Sequence, residues 1–138
     1  MKLNNRVVVI TGAGSGIGRA SALEFAKNGA AVAIVDIDLD RARETVRLVE
    51  NDGGIARALS CDVAQADSVQ RLVSDTLETF SRVDVLLNNA AIQVNKTIED
   101  TSVEEWNRQI AVHLGGVFLC SKFFLPQLRT TRGCIINV

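Results

Sequence analysis

The chain has 138 residues, 47% of them apolar, with 15 basic side chains against 16 acidic ones and a net charge of −1. That length and apolar content fit one domain with a sizeable core, and the balanced charge excludes the strongly basic face that nucleic acid requires. No apolar run approaches the roughly 20 residues of a membrane span, and the opening Lys2-Leu3-Asn4-Asn5-Arg6 lacks the apolar stretch of a signal peptide.

Strands and helices alternate along the chain. Val7 to Ile10 is a β-branched run that ends in Thr11-Gly12-Ala13-Gly14-Ser15-Gly16-Ile17-Gly18. A helix pattern follows from Gly16 to Asn28 and should stop at Gly29, which can take the left-handed cap. Ala31 to Val35 reads as a second strand, ending at Asp36. A second helix from Leu39 places Ala42, Val46 and Val49 on one face, with Gly53-Gly54 as its stop. Ile55 to Leu59 is a third strand, and Asp67 reads as the N-cap of a third helix. Val69, Leu72, Val73, Thr76 and Phe80 form the apolar stripe of that helix.

Val83 to Leu87 is apolar enough for a strand buried on both faces. Ser102 and Glu105 form a capping box for a long helix that carries Trp106, Ile110, Val117, Phe118 and Phe124 and should end near Pro126. Thr131-Arg132-Gly133 reads as a turn and Cys134 to Val138 as a fifth strand. Repeated strand–helix units predict one α/β domain over residues 1–138. Its architecture is a Rossmann-type doubly wound parallel sheet, three-layer α/β/α, with strand order 3-2-1-4-5. The cysteines Cys61, Cys120 and Cys134 are isolated, with no CxxC and no metal site expected. They read as reduced thiols of a cytoplasmic protein, with Cys120 and Cys134 as small core hydrophobes.

A strict GxGxxG is absent, because Ile17 stands three places after Gly14; the pattern is Gly12-x-x-x-Gly16-x-Gly18. Gly12 lets the chain leave the strand through a turn with unusual dihedrals. Gly16 removes a side chain where a pyrophosphate approaches the backbone, and Gly18 allows close helix–sheet packing. Asp36, about 20 residues on, suits the 2′ and 3′ hydroxyls of an adenosine ribose and repels a 2′-phosphate. The loop position is Ser15, and the second strand is followed by Ile37-Asp38, with no basic residue in the places that NADP sites usually supply one. NAD is therefore expected over NADP.

With this loop, Asp36 and the run Asn88-Asn89-Ala90-Ala91, the whole chain resembles the classical short-chain dehydrogenases/reductases, which usually have glycine where Ala91 stands. Cys61-Asp62-Val63 is similar to that family's adenine-contacting segment. The resemblance implies that Gly12, Ser15, Gly16, Ile17, Gly18, Asp36, Ile37, Cys61, Asp62, Val63, Asn89, Ala90, Ala91 and Val112 bind the cofactor. It implies hydride transfer between NAD and an alcohol or carbonyl, with a tyrosine as general acid/base, a lysine that lowers the tyrosine's pKa, and a serine that orients the substrate oxygen. The family's helix asparagine, which supports a proton-relay water, corresponds to His113.

The serine would come just beyond Val138 and the Tyr-x-x-x-Lys pair later, and the chain contains no tyrosine. Ser121 and Lys122 lie inside the long helix and do not stand in for them. The fifth strand would then be an exposed apolar edge. The long helix, which packs in a dimer interface in the family, should drive homo-oligomer formation through residues 103–127, or leave a monomer marginally stable. The chain as given is expected to be inactive as a dehydrogenase. The competing reading is a non-catalytic module that holds NAD or only self-associates. A methyltransferase, which also uses a glycine loop and an acid, fits the Asn88-Asn89-Ala90 run less well.

Overall fold

The computed structural model describes residues 2–138. Five parallel strands form one sheet in the order β3-β2-β1-β4-β5. They are β1 (Val7–Thr11), β2 (Ala31–Asp36), β3 (Ile55–Ser60), β4 (Val85–Asn88) and β5 (Cys134–Asn137). Because β1 is central, its residues alternate between two cores. Val8 and Ile10 face the layer of α1 (Gly16–Lys27) and α2 (Leu39–Asn51). Val9 faces the layer of α3 (Ala66–Phe80) and the long C-terminal helix. The sequence pattern therefore carries the α/β/α architecture and the strand order as expected.

The long helix is three pieces in one rod of 29 residues, Val103–Thr131. Its parts are α4 (Val103–Ile110), a π-helical turn (Ala111–Gly115) and α5 (Gly116–Thr131). The capping box is present: Ser102 Oγ accepts from Glu105 N, and Glu105 Oε2 accepts from Ser102 N. By length and composition the rod could cross a membrane, which corrects the expectation that no segment approaches that size. Its Cys120, Phe124 and Leu128 are buried in the sheet-side core, so the rod is part of this fold.

The structure corrects three further expectations. The rod does not end near Pro126 but runs on to Thr131. A proline deletes one helical N–H, whereas Leu128 is buried and the Thr131 hydroxyl donates to Val83 O at 2.6 Å, which holds the last turn in place. Asp67 is not the N-cap of α3; Gln65 is, and Asp67 lies in the first turn, where its charge favours the helix dipole. The turn before α3 is closed instead by Asp62, whose Oδ1 accepts from Ala64 N at 3.0 Å. Cys134 is exposed, not a core hydrophobe, because β5 is an edge strand whose far side has no neighbour among the described residues. Gly29 takes the left-handed conformation (φ 96°) that the sequence implied.

At the amino ends of the strands, Asp84 is 3% exposed. Arg6 donates to its Oδ1 at 2.7 Å, Arg82 to both oxygens, and the Val7 N–H to Oδ2 at 2.9 Å. Burial pushes this carboxyl up, but the hydrogen bonds from Arg82, Arg6 and Val7 outweigh it and hold it below the usual carboxylate value.

Candidate functional site

Parallel α/β sheets bind ligands at the carboxyl ends of their strands, where the strand order reverses. Here that point lies between β1 and β4. A cavity of about 420 Å3 opens there.

Residues from four strand ends meet in it. From the first loop come Gly12, Ser15, Gly16 and Ile17, and from β2 and its exit Asp36 and Ile37. Cys61, Asp62 and Val63 follow β3, Asn89, Ala90 and Ala91 follow β4, and Val112 comes from the π turn. Gly18 is the one expected cofactor residue that does not line the cavity. It lies beneath it, packed so closely that a Cβ there would collide with Gly12 O and stand 2.6 Å from Asn89 Nδ2. His113 is exposed beside the cavity, with its ring against the backbone of Ile92. Sequence reasoning missed four lining residues: Val35, Arg41, Ile92 and Arg108. Arg41 sits in the first turn of α2, next to Asp36, a position that helix phasing after β2 could have flagged.

The glycine loop is held from three sides. Thr11 Oγ1 accepts from both Asn89 N and Ala90 N at 3.0 Å, and Asn89 Nδ2 donates to Thr11 O and Gly12 O. The Thr45 hydroxyl, buried in α2, donates to Ala13 O at 2.9 Å. The Asp36 carboxylate accepts from Gly14 N at 2.9 Å and from Asp38 N at 3.0 Å. A Cβ on Gly14 would lie 2.7 Å from Asp36 Oδ2, so glycine is required there for contact with the acid. Asp62 is also engaged, with Oδ2 3.1 Å from Arg108 Nη2.

The helix end facing the cavity is open. Ser15, the N-cap of α1, makes no side-chain cap hydrogen bond, and the first turn carries no acid. The first amides of α1 are therefore free to meet an anion, as helix N-termini do. Gly16 has φ 53°, and a Cβ built on it would meet nothing within 4 Å, which leaves room on the loop for a phosphate. These features fit a dinucleotide: an open helix N-terminus for the pyrophosphate and a carboxylate for the ribose.

A β3-β2-β1-β4-β5 sheet with a glycine loop and an acid meeting at its carboxyl edge defines a Rossmann-type α/β domain. The chain belongs to the short chain dehydrogenase family, which matches residues 6–138. It is 44% identical over 139 residues to an uncharacterized oxidoreductase of Thermotoga maritima, covering 100% of this chain and 55% of that protein. It is 42% identical to the meso-2,3-butanediol dehydrogenase of Serratia marcescens, over 99% of this chain and 54% of that protein. The fold is also similar to a metagenomic short-chain oxidoreductase solved in complex with NADP. That match has 32% identity and a TM-score of 0.92 and covers 99% of this chain and 63% of that one. The chain thus spans about half the length of the curated relatives it matches. Members of the family bind a nicotinamide dinucleotide.

Proposed function

We propose that this chain is the cofactor-binding part of an NAD-dependent oxidoreductase that moves a hydride between NAD and an alcohol or carbonyl substrate. The observation that carries the reading is the Asp36 carboxylate in the cavity wall, fixed by the Gly14 N–H at 2.9 Å. So held, it retains lone pairs to accept from the 2′ and 3′ hydroxyls of an adenosine ribose, and its charge opposes a 2′-phosphate. Gly12, Ser15, Gly16 and Ile17 take the pyrophosphate on the open N-terminus of α1. Gly18 lets that helix approach. Ile37, Cys61, Asp62 and Val63 surround the adenine, and Asn89, Ala90, Ala91 and Val112 bound the rest of the dinucleotide.

The dinucleotide supplies the hydride chemistry. The proton for the resulting alkoxide must come from a donor within hydrogen-bond reach. No tyrosine is present among these 138 residues, so the reading assigns that step to groups outside this sequence. The chain by itself then binds NAD(H) without turning over an alcohol. His113 stands where the resemblance puts the proton-relay asparagine. The reading further places the protein in the cytoplasm, where its three free thiols stay reduced. It also has the protein associate with a second copy through the rod.

One observation favours NADP instead: Arg41 lines the cavity beside Asp36. Its guanidinium, however, pairs with Asp38 at 3.4 Å and is largely exposed. Fluorescence titration with NADH and NADPH decides between them. Tighter NADPH binding overturns the NAD reading, and NADH formation from an alcohol by the pure chain overturns the assignment of proton transfer.

A further inference from the structure

The backbone polar groups of Ala13 and Gly14 are all spoken for. Ala13 N donates to Val35 O at 2.9 Å, and Ala13 O accepts from the Thr45 hydroxyl at 2.9 Å. Gly14 N donates to Asp36 Oδ2, and Gly14 O accepts from Arg19 Nη2. The next backbone donor, the Ser15 N–H, has no partner among the described residues.

Arg19 stands in the first turn of α1 and is not part of the cavity wall. Its Nη2 also donates to Glu44 Oε2 at 2.9 Å, and its Nε donates to Thr45 Oγ1 at 3.0 Å. Thr45 in turn donates to Ala13 O. One guanidinium therefore fixes two successive loop carbonyls, one directly and one through Thr45. Glu44 and Thr45 lie outside the cavity wall as well, so both carbonyls are drawn away from the space that a ligand enters.

The peptide plane carries this to the ligand side. A trans peptide holds its C=O and N–H on opposite edges. With Gly14 O drawn toward Arg19, the Ser15 N–H of the same peptide is directed the other way, and Ser15 lines the cavity. The glycine on its amino side leaves that peptide easy to rotate. Rotated, it would turn a carbonyl oxygen, not an N–H, toward an incoming anion. The charge of Arg19 is paired with Glu44, so its influence on a phosphate runs through this peptide.

We propose that Arg19 is a positioning residue that sets the polarity of the Gly14–Ser15 peptide and so keeps the Ser15 N–H aimed at the phosphates of the dinucleotide. The peptide orientation stands on the geometry alone; the phosphate step rests on the NAD reading above.

Two measurements on the full chain separate the two. The first is the NMR residual dipolar coupling of the Ser15 N–H without ligand. It should change in Arg19→Met, which keeps the apolar stem and loses the donors, while the couplings along β1 stay as in the parent. Arg19→Ala takes its place should the methionine variant not fold. Glu44→Gln removes the ion pair but not the Gly14 contact and should leave the Ser15 coupling unchanged. A parent-like Ser15 coupling in Arg19→Met overturns the proposal, and so does an equal change in Glu44→Gln, which would make the ion pair the operative contact.

The second is the ratio of ADP to adenosine affinity, which reads the diphosphate contact and cancels a general loss of fold. It should fall at least about fivefold in Arg19→Met and stay within about twofold of the parent in Glu44→Gln. Arg19→Lys, which retains a charged donor, should recover part of the loss. An unchanged ratio in Arg19→Met overturns the phosphate step. A parent chain that binds neither NADH nor ADP sinks the NAD reading and the phosphate step with it, and leaves the peptide orientation to the dipolar couplings.

Discussion

Asp36 Oδ2 accepts the backbone N–H of Gly14 at 2.9 Å, across 22 residues of chain. The acid at the end of β2 therefore also organises the glycine loop, and a test of cofactor choice must separate the two roles. Asp36→Asn does so, because the amide oxygen can still accept from Gly14 while the charge is gone. NADH affinity should fall about tenfold, or about 1.4 kcal/mol. NADPH affinity should rise relative to NADH, with little change in Tm. An unchanged NADH/NADPH ratio would show that the charge does not set the preference.

Gly16 and Gly18 should separate binding from folding. A methyl at Gly16 meets no neighbour but sits on a left-handed backbone (φ 53°) and projects into open space on the loop. Gly16→Ala should cost about 1 kcal/mol of stability and abolish measurable NADH binding. A methyl at Gly18 runs into the backbone of Gly12 and Ala13. Gly18→Ala should cost about 1–3 kcal/mol and displace the loop itself. Thermal melts should place Gly18→Ala below Gly16→Ala, and NADH titration should show Gly16→Ala losing binding out of proportion to its small loss of stability.

The glycines, Asp36 and the strand order are legible in the sequence because each is local or follows from alternation along the chain. Gly14 is not: its need for a bare α-carbon comes from Asp36, a neighbour only in three dimensions. Arg108 reaches the cavity from a helix whose rotation about its axis is set by packing, whereas the phase of α2 after β2 could have pointed to Arg41. Pro126 reads as a stop because its backbone effect is local, while the burial of Leu128 that overrides it is tertiary. Cys134 reads as core from its apolar neighbours, although the strand order legible in the sequence already makes β5 an exposed edge.

Asp84 should make the fold acid-sensitive. Its carboxyl is held below the unfolded value of about 3.8, so its contribution is complete above that pH and is lost as pH falls through the folded value. Urea denaturation should show stability dropping below about pH 4. Asp84→Asn should flatten that loss and cost about 2–3 kcal/mol at neutral pH, because Arg6 and Arg82 lose a buried partner. A parent-like acid profile in the variant would contradict this.

The thiols should react in a set order at pH 8. Cys134 is exposed and should label first. Burial pushes Cys120 up to about 12, with a smaller contribution from Cys61, so it should label only on unfolding. Cys61 is also raised, mainly by burial, against a lowering by its Ser68 hydrogen bond. Because Cys61 lines the cavity, NADH should slow its labelling further, as mass spectrometry of labelled peptides would show.

Trp106, Ile110, Leu114 and Phe118 recur every fourth residue along the rod and are all exposed. If this stripe joins two copies, Leu114→Glu with Phe118→Glu should convert an assembled chain to monomer in sedimentation experiments. The circular dichroism should be unchanged. Self-association that survives the double substitution would place the contact elsewhere.

The Thr11 side chain uses every bonding capacity it has. It donates to Leu87 O at 3.4 Å and accepts from Asn89 N and Ala90 N. One hydroxyl thereby splices the end of the first strand to the end of the fourth, the two jaws of the crevice. A guest entering such a crevice meets a receptor assembled in advance and spends little of its binding energy on ordering the walls. The same splice, with the Asn89 amide on Thr11 O and Gly12 O, ties the glycine loop to the opposite wall, so that neither wall is held by its own strand alone.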